Sequence, residues 1–199
     1  MAKKTYPEYA DCISMALTPM VLTGRMTKKQ HPDCKVVFIG PCAAKKLEAS
    51  RKSVRSDIDF VLTFEEMMGI FDAKNIEFDK LEVEEPLNTS SSLGKGFAAS
   101  GGVAAAVVNA IKCLEPEKEC KTMLAKAKAG MYDGYLLEGM ACPGGCMGGA
   151  GVLADVRKAT MGLEQQKKTS TFEKPSRSDY LKYLHLITKE DFYNNENEN

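Results

Sequence analysis

Apolar positions along the chain fall into short continuous runs and into stretches of helical spacing. Lys35 to Gly40 (Lys-Val-Val-Phe-Ile-Gly) is a short β-branched run closed by Gly-Pro, which predicts a strand buried on both faces. Asp59 to Thr63 predicts a second strand and Gly134 to Met140 a third. Helical spacing covers Tyr6 to Gln30, where Thr18-Pro19 kinks or restarts the helix because proline lacks an amide donor and restricts the residue before it. A short helix is expected over about Ala43 to Lys52, and Thr63 with Glu66 forms a capping box that opens a helix to about Asn75. Residues 76–100 read as an irregular connection with room for a short edge strand. Further helices are expected from Ser100-Gly101-Gly102 to about Leu114, from Pro116 to Lys128 with a stop at Gly130, from Val152 to about Lys167, and from Asp179 to Ile187. Strands alternating with helices predict an α/β fold, a largely parallel sheet of about four strands flanked by helices. Residues 1–167 read as one lobe, 168–190 as a linker and C-terminal helix, and 191–199 as a disordered tail rich in Asn and Glu.

The length of 199 residues suits one domain or two small ones, and 44% hydrophobic with 27% charged residues excludes collagen, mucin and whole-chain disorder. Lys plus Arg equals Asp plus Glu at 27 each, so no global basic field exists to attract nucleic acid or an anionic membrane. The charge is nonetheless segregated. Residues 1–55 hold eleven bases against four acids, and 56–94 hold ten acids against two bases, which reads either as solvated faces or as a docking surface. There is no apolar run of the roughly 20 residues a membrane span needs, and no secretory signal, so a cytoplasmic chain is expected. In a reducing compartment the odd count of seven cysteines points to metal or redox chemistry rather than disulfides.

Three of those cysteines stand at predicted strand ends. Cys42 follows Gly40-Pro41, and Cys142 and Cys146 bracket Pro143-Gly144-Gly145. Ligands of parallel sheets gather beyond the carboxyl ends of strands, so the three thiols are expected to converge. A Pro-Gly-Gly interior argues for a loop rather than one helix face, with free amides that stabilise thiolate charge. Thiolates select zinc, copper(I) or iron–sulfur clusters, and a closed zinc site or a cubane takes about four protein ligands. Three are in place and a fourth is missing. Cys12, Cys34, Cys113 and Cys120 lack such a setting, with Cys34 the nearest substitute. The bland reading is that all seven are buried or surface thiols.

Pro41-Cys42-Ala43-Ala44-Lys45-Lys46-Leu47-Glu48 resembles the P-C-x-x-K-x-x-E signature of the catalytic domain of iron-only (FeFe) hydrogenases. Glu138-Gly139-Met140-Ala141-Cys142-Pro143-Gly144-Gly145-Cys146-Met147-Gly148-Gly149 resembles that family's E-x-M-A-C-x-x-G-C-x-x-G-G signature. The resemblance runs from about Tyr6 through Gly151. It implies one lobe of the hydrogenase catalytic domain and an H-cluster, a 4Fe–4S cubane joined through a cysteine sulfur to a two-iron subsite. By position, Cys42 and Cys142 would ligate the cubane and Cys146 would bridge to the two-iron unit. Lys45 would donate to a cyanide ligand, Met140 would line the diiron pocket, and Ser14 falls on a serine of the family's proton path, though a solvent-facing helix serine accounts for it equally. Glu48 and Glu138 read as structural hydrogen-bonding residues. The parent reaction is reversible proton reduction to hydrogen, fed by a ferredoxin-like electron donor.

The departures from the family pattern carry equal weight. Its first signature, T-S-C-C-P, is absent, and the alignment of Tyr6-Pro7 and Thr18-Pro19 would put it just upstream of Met1. Gly40 replaces the usual Met before Pro-Cys, and Met20 stands where Gln is common, changes that resemble divergent, sensory branches. The expectation is a fragment that is inactive alone and needs the missing upstream lobe or another subunit. A non-catalytic iron–sulfur sensory or cluster-assembly protein and a zinc-binding module remain as alternatives. Gly94-Lys95-Gly96-Phe97-Ala98-Ala99 also fits a dinucleotide-binding pattern, although Thr89 to Ser92 precede it where a buried strand is required. His31 and His185 are too isolated for a metal site and read as exposed residues, and Met67-Met68 reads as core filler.

Overall fold

The computed structural model describes residues 5–14, 16–82, 90–111, 126, 128–131, 137–174 and 177–188. The chain divides into two compact units. A sheet unit comprises Cys12–Glu82, Ala150–Leu153 and Tyr180–Asn199, and a helical unit comprises Met1–Asp11, Val83–Gly149 and Ala154–Asp179.

The first expected helix is broken in two, residues up to Asp11 belonging to the helical unit and those from Cys12 on to the sheet unit. A 3-10 turn spans Pro7–Cys12, and helix α1 begins only at Pro19 and runs to Gln30. Thr18 is extended (φ −67°, ψ 155°) and Pro19 takes the first helical position, where its missing amide costs nothing. Strand β1 (Val37–Gly40) leads through α2 (Ala44–Ala49) to strand β2 (Phe60–Thr63) and directly into α3 (Phe64–Ala73). The strands pair in parallel, Val37 opposite Phe60 and Gly40 opposite Thr63. Thr63 and Glu66 form the capping box read from the sequence, with both reciprocal bonds present. A further 3-10 turn covers Phe78–Lys80.

Strand alternation decides which side chains are covered. Phe38 and Val61 pack against a buried cluster of Met20, Val21, Val54 and Ile58. Burial of a side chain such as Val21 contributes about 1.5–3 kcal/mol. Val37, Ile39 and Phe60 lie exposed on the other face at 46%, 45% and 61%. The expected burial of β1 on both faces is therefore not met. Met20 belongs to this core, and Met68 is exposed where core filling was expected.

The segregated charge has a structural use. Basic residues of α1 and the following turn pair with acids that precede β2. The Arg25 guanidinium grips the buried Asp57 in a fork, Nη2 to Oδ2 at 2.8 Å and Nε to Oδ1 at 3.2 Å. Asp59 takes Lys28 at 2.7 Å and Lys35 at 3.2 Å, and its Oδ2 accepts the Val36 amide at 2.8 Å, which aligns the two strand starts. Lys46 of α2 pairs with Glu66 of α3 at 2.6 Å. Part of the opposite charge is thus matched within the unit.

In the helical unit, α4 (Ser92–Gly96) packs against α5 (Gly102–Ile111) and α6 (Val156–Lys168). Asp155 caps α6 by accepting from the Arg157 and Lys158 amides, which sets its start four residues after the expected Val152. A 3-10 turn, Gly145–Gly148, rests on α6. The last element, Asp179–Leu186, belongs from Tyr180 on to the sheet unit and is a 3-10 helix where a helix was expected. The chain is α/β with a parallel sheet flanked by helices, and two strands are formed among the described residues. Of the third expected strand, 134–136 lie outside the described residues, and Leu137 to Met140 adopt no regular structure. The expected Pro116–Lys128 helix and the 191–199 tail lie almost wholly or wholly outside them. No described helix is long and apolar enough to cross a membrane.

The Asp59 carboxyl is held well below the ordinary carboxylate range, first by the Lys28 ammonium, then by the Val36 amide and Lys35. A folded-state pKa below the unfolded one contributes stability that is complete above the unfolded value, about 4, and is lost as pH falls toward the folded one. Asp59→Asn is expected to lower the urea midpoint at neutral pH, with the gap from the parent narrowing progressively below about pH 4. Urea titrations of both chains across this range, followed by circular dichroism, check the prediction.

Candidate metal centre

Cys42 lies just past the carboxyl end of β1, after Gly40 and Pro41, half-buried and with a free thiol. Its carbonyl accepts the Lys45 amide at 3.2 Å and so starts α2. The turn is held from the far end of the sequence: the Gly151 amide donates to the Pro41 carbonyl at 2.9 Å. A Cβ at Gly151 would lie 2.8 Å from Thr63 Cβ and 3.0 Å from the Pro41 oxygen, so only glycine permits this approach.

Behind Cys42 stands a polar cluster that sequence reasoning found only in part. Lys45 Nζ pairs with Glu48 Oε2 at 2.7 Å, both groups three-quarters or more buried. Glu48 Oε1 accepts the Thr18 hydroxyl at 2.5 Å. The structural role expected for Glu48 is present. Thr18 was missed, because a bond across thirty residues leaves no trace in local spacing. Beyond it, the Glu66 carboxyl is held below its ordinary value by the Lys46 ammonium first and the Thr63 amide second. Ser14 is exposed in an irregular segment before α1, not on a helix, and its Oγ accepts the Ala16 amide at 3.3 Å. The break at Pro19 removed the helix on which it was expected.

In the helical unit, Cys142 and Cys146 are half-buried and in no disulfide. They do not share a helix face, since Cys142 precedes the 3-10 turn that contains Cys146. Gly144 and Gly145 both adopt left-handed backbone, φ 77° and 72°. Gly145 is lodged against the turn before α5: a Cβ there would meet the Ser100 amide nitrogen at 2.7 Å and the Ala98 oxygen at 2.8 Å. The Cys146 amide donates to that Ala98 oxygen at 2.8 Å. The amides of Gly145 and Gly149 donate to the Cys142 and Cys146 carbonyls. Three loop amides expected to be free for thiolate charge are therefore already engaged.

The same contact explains the glycine-rich stretch that resembled a dinucleotide motif. Ser92–Gly96 is a five-residue helix capped by Ser91 Oγ, and the residues after it form the seat of the Cys146 loop. Met140 is half-buried just before that loop. Glu138 makes the structural bond expected of it, Oε2 accepting the Ala104 amide at 2.6 Å.

The expected thiol set is thus divided, Cys42 in the sheet unit and Cys142 with Cys146 in the helical unit. Among the described residues no three His, Cys, Asp or Glu side chains form a group that holds a metal ion. The donors fit an iron–sulfur cluster in kind, as soft thiolates in glycine-bounded turns, and fall one short of a cubane in number. Cys34 is half-buried in the turn after α1, Cys12 is exposed, and Cys113 and Cys120 lie outside the described residues. His31 and His185 are exposed, the latter with Nδ1 2.7 Å from the Lys182 carbonyl oxygen.

Comparison with known proteins bears on this arrangement. The family model for the iron only hydrogenase large subunit, C-terminal domain, matches residues 1–118 and 110–150. The chain is 28% identical to Iron hydrogenase 1 of Clostridium pasteurianum, over 75% of this chain and 35% of that protein. It is 27% identical to the cytosolic Fe-S cluster assembly factor NAR1 of Kluyveromyces lactis, over 63% of this chain and 29% of that protein. The chain therefore spans about a third of the length of these curated relatives. A solved FeFe-hydrogenase structure, from work on oxygen inactivation through the 2Fe subcluster of the H cluster, superimposes with a TM-score of 0.70. It covers 93% of this chain and 67% of its own at 19% identity, which is a likeness of fold.

Gly145→Ala is expected to destabilise the helical unit by about 2 kcal/mol or more, from left-handed strain together with the displaced Ala98–Ser100 backbone. Hydrogen exchange at the Cys146 amide, compared with β1 amides of the sheet unit as an internal reference, reads the effect.

Proposed function

Because the chain belongs to the family of the iron only hydrogenase large subunit, C-terminal domain, we propose that it forms part of an H-cluster-binding domain and does not complete the cluster alone. Cys42 and Cys142 are two thiolate ligands of a 4Fe–4S cubane, and Cys146 is the sulfur that joins it to a two-iron subsite. When bound, such a cluster supplies reversible proton reduction to hydrogen. The protein's own part is to hold three thiolates and to set a cation beside them. Lys45, fixed by Glu48, is the donor toward the anionic ligands of the subsite. Met140 lines the same pocket, and Ser14 lies on the route by which protons arrive. Residues 1–167 form the cluster-binding lobe, and 168–190 a linker and C-terminal helix. The fourth thiolate comes from an upstream lobe or another subunit, with a ferredoxin-like protein as electron donor in a cytoplasmic, reducing setting.

The observation that carries this reading is the pair of cysteine turns. Both signatures lie within the matched residues, and each turn is fixed by a glycine that lets backbone meet backbone. A second reading, a non-catalytic iron–sulfur or cluster-assembly protein, is favoured by the similarity to the assembly factor and uses the same thiolates. Fold alone does not choose between them.

Anaerobic reconstitution with iron, sulfide and dithiothreitol is expected to give a cubane held by three protein thiolates, with the added thiol as fourth ligand. Iron and acid-labile sulfide should bind in equal amounts and be lost in Cys42→Ser and Cys142→Ser. The loaded chain should evolve no hydrogen from reduced methyl viologen. Stoichiometric zinc with neither iron nor sulfide would overturn the iron–sulfur reading in favour of a zinc module, and hydrogen evolution by the chain alone would overturn its incompleteness.

A further inference from the structure

Within the helical unit, the segment that carries Cys142 is tied at both ends to one short stretch of chain. At its start, Glu138 Oε2 accepts the Ala104 amide at 2.6 Å, in the first turn of α5. At its end, the Cys146 amide donates to the Ala98 carbonyl at 2.8 Å, and Gly145 is pressed against Ala98 to Ser100. Residues 98–104 thus receive both ends of residues 138–146.

The Glu138 bond is tertiary, reaching an amide thirty-four residues away in sequence. Gly101 and Gly102, which lead into α5, have no side chains to offer its first amides, so the carboxylate arrives from outside and meets the electropositive helix end. Its other oxygen, Oε1, is buried and has no hydrogen-bond partner among the described residues. A buried carboxylate oxygen carries a desolvation cost, so the bond that Oε2 makes is one the fold cannot cheaply give up.

We propose that Glu138 is the positioning residue of the Cys142–Cys146 loop, a tertiary latch on the first turn of α5 that limits how far the two thiols open to solvent. The inference deepens the proposed function, since it concerns thiols that function assigns as ligands. It stands on contacts of the chain itself and needs no bound cluster. Glu138 acts through the loop.

The test uses the full reduced chain under anaerobic conditions. Alkylation by iodoacetamide is followed at each cysteine by peptide mass spectrometry from pH 7 to pH 9, with Cys42 of the other unit as reference. Glu138→Ala is expected to speed alkylation of Cys142 and Cys146 by about tenfold, the factor associated with one hydrogen bond to a charged group, and to leave Cys42 unchanged. Glu138→Gln keeps an oxygen for the Ala104 amide and should restore the parent rates across the pH range. Rates at Cys142 and Cys146 within twofold of the parent would overturn the proposal. Equal acceleration at Cys42 would also overturn it, because that marks general loosening, and so would failure of the Gln variant to restore protection. A chain that passes this test yet binds no iron would refute the proposed function and leave the latch standing.

Discussion

Both cysteine-bearing turns depend on one constraint, the approach of backbone to backbone at a separation that no Cβ allows. Gly151 brings its amide to the Pro41 carbonyl, and Gly145 lies against Ala98 to Ser100. Contacts of this kind fix main-chain atoms directly, whereas apolar packing tolerates sliding and repacking. The distinction matters most in the helical unit, where Ala106 is the buried apolar side chain among the described residues. There the placement of Cys142 and Cys146 rests on hydrogen bonds and close main-chain contacts. The sheet unit has a cluster around Met20 and Val21 for that purpose.

Charge does comparable work in the sheet unit. Asp57 and Asp59 precede β2 and collect Arg25, Lys28 and Lys35, so that a helix, a turn and the starts of two strands are joined. Exposed pairs of this sort contribute little singly. The fork of Arg25 on a buried carboxylate, and the Asp59 carboxylate that also accepts an amide, are the stronger members. Glu48 continues the pattern behind Cys42, where it neutralises Lys45 and receives Thr18. A lysine held in this way is oriented before any ligand arrives, which lowers the ordering cost of using it.

The relatives combine one fold with more than one task. A hydrogenase and a cluster assembly factor are both similar to this chain, and each is much longer than it. Soft sulfur donors in glycine-bounded turns serve either purpose, so the number of thiolates carries more information than the architecture. The three thiolates proposed as ligands are too few to close a cubane by themselves. The Glu138 contact ties the start of the Cys142–Cys146 loop to the first turn of α5.

Local chemistry was legible in the residues themselves. The two strands, the Thr63–Glu66 capping box and the two signatures are set by neighbours a few positions apart, and a linear reading finds such patterns. The break at Pro19 was half legible, since the proline was seen and the length of the interruption was not. Tertiary structure alone decided that Phe38 faces the core while Val37 and Ile39 do not, because the face a strand covers depends on what packs on it. It alone turned segregated charge into internal ion pairs, and a glycine-rich stretch that resembled a nucleotide motif into the seat of a cysteine loop. In each case the partner lies tens of residues away, as Ala104 does from Glu138. Periodicity and spacing record only what a residue shares with its near neighbours, and these contacts form only once the chain has folded back on itself.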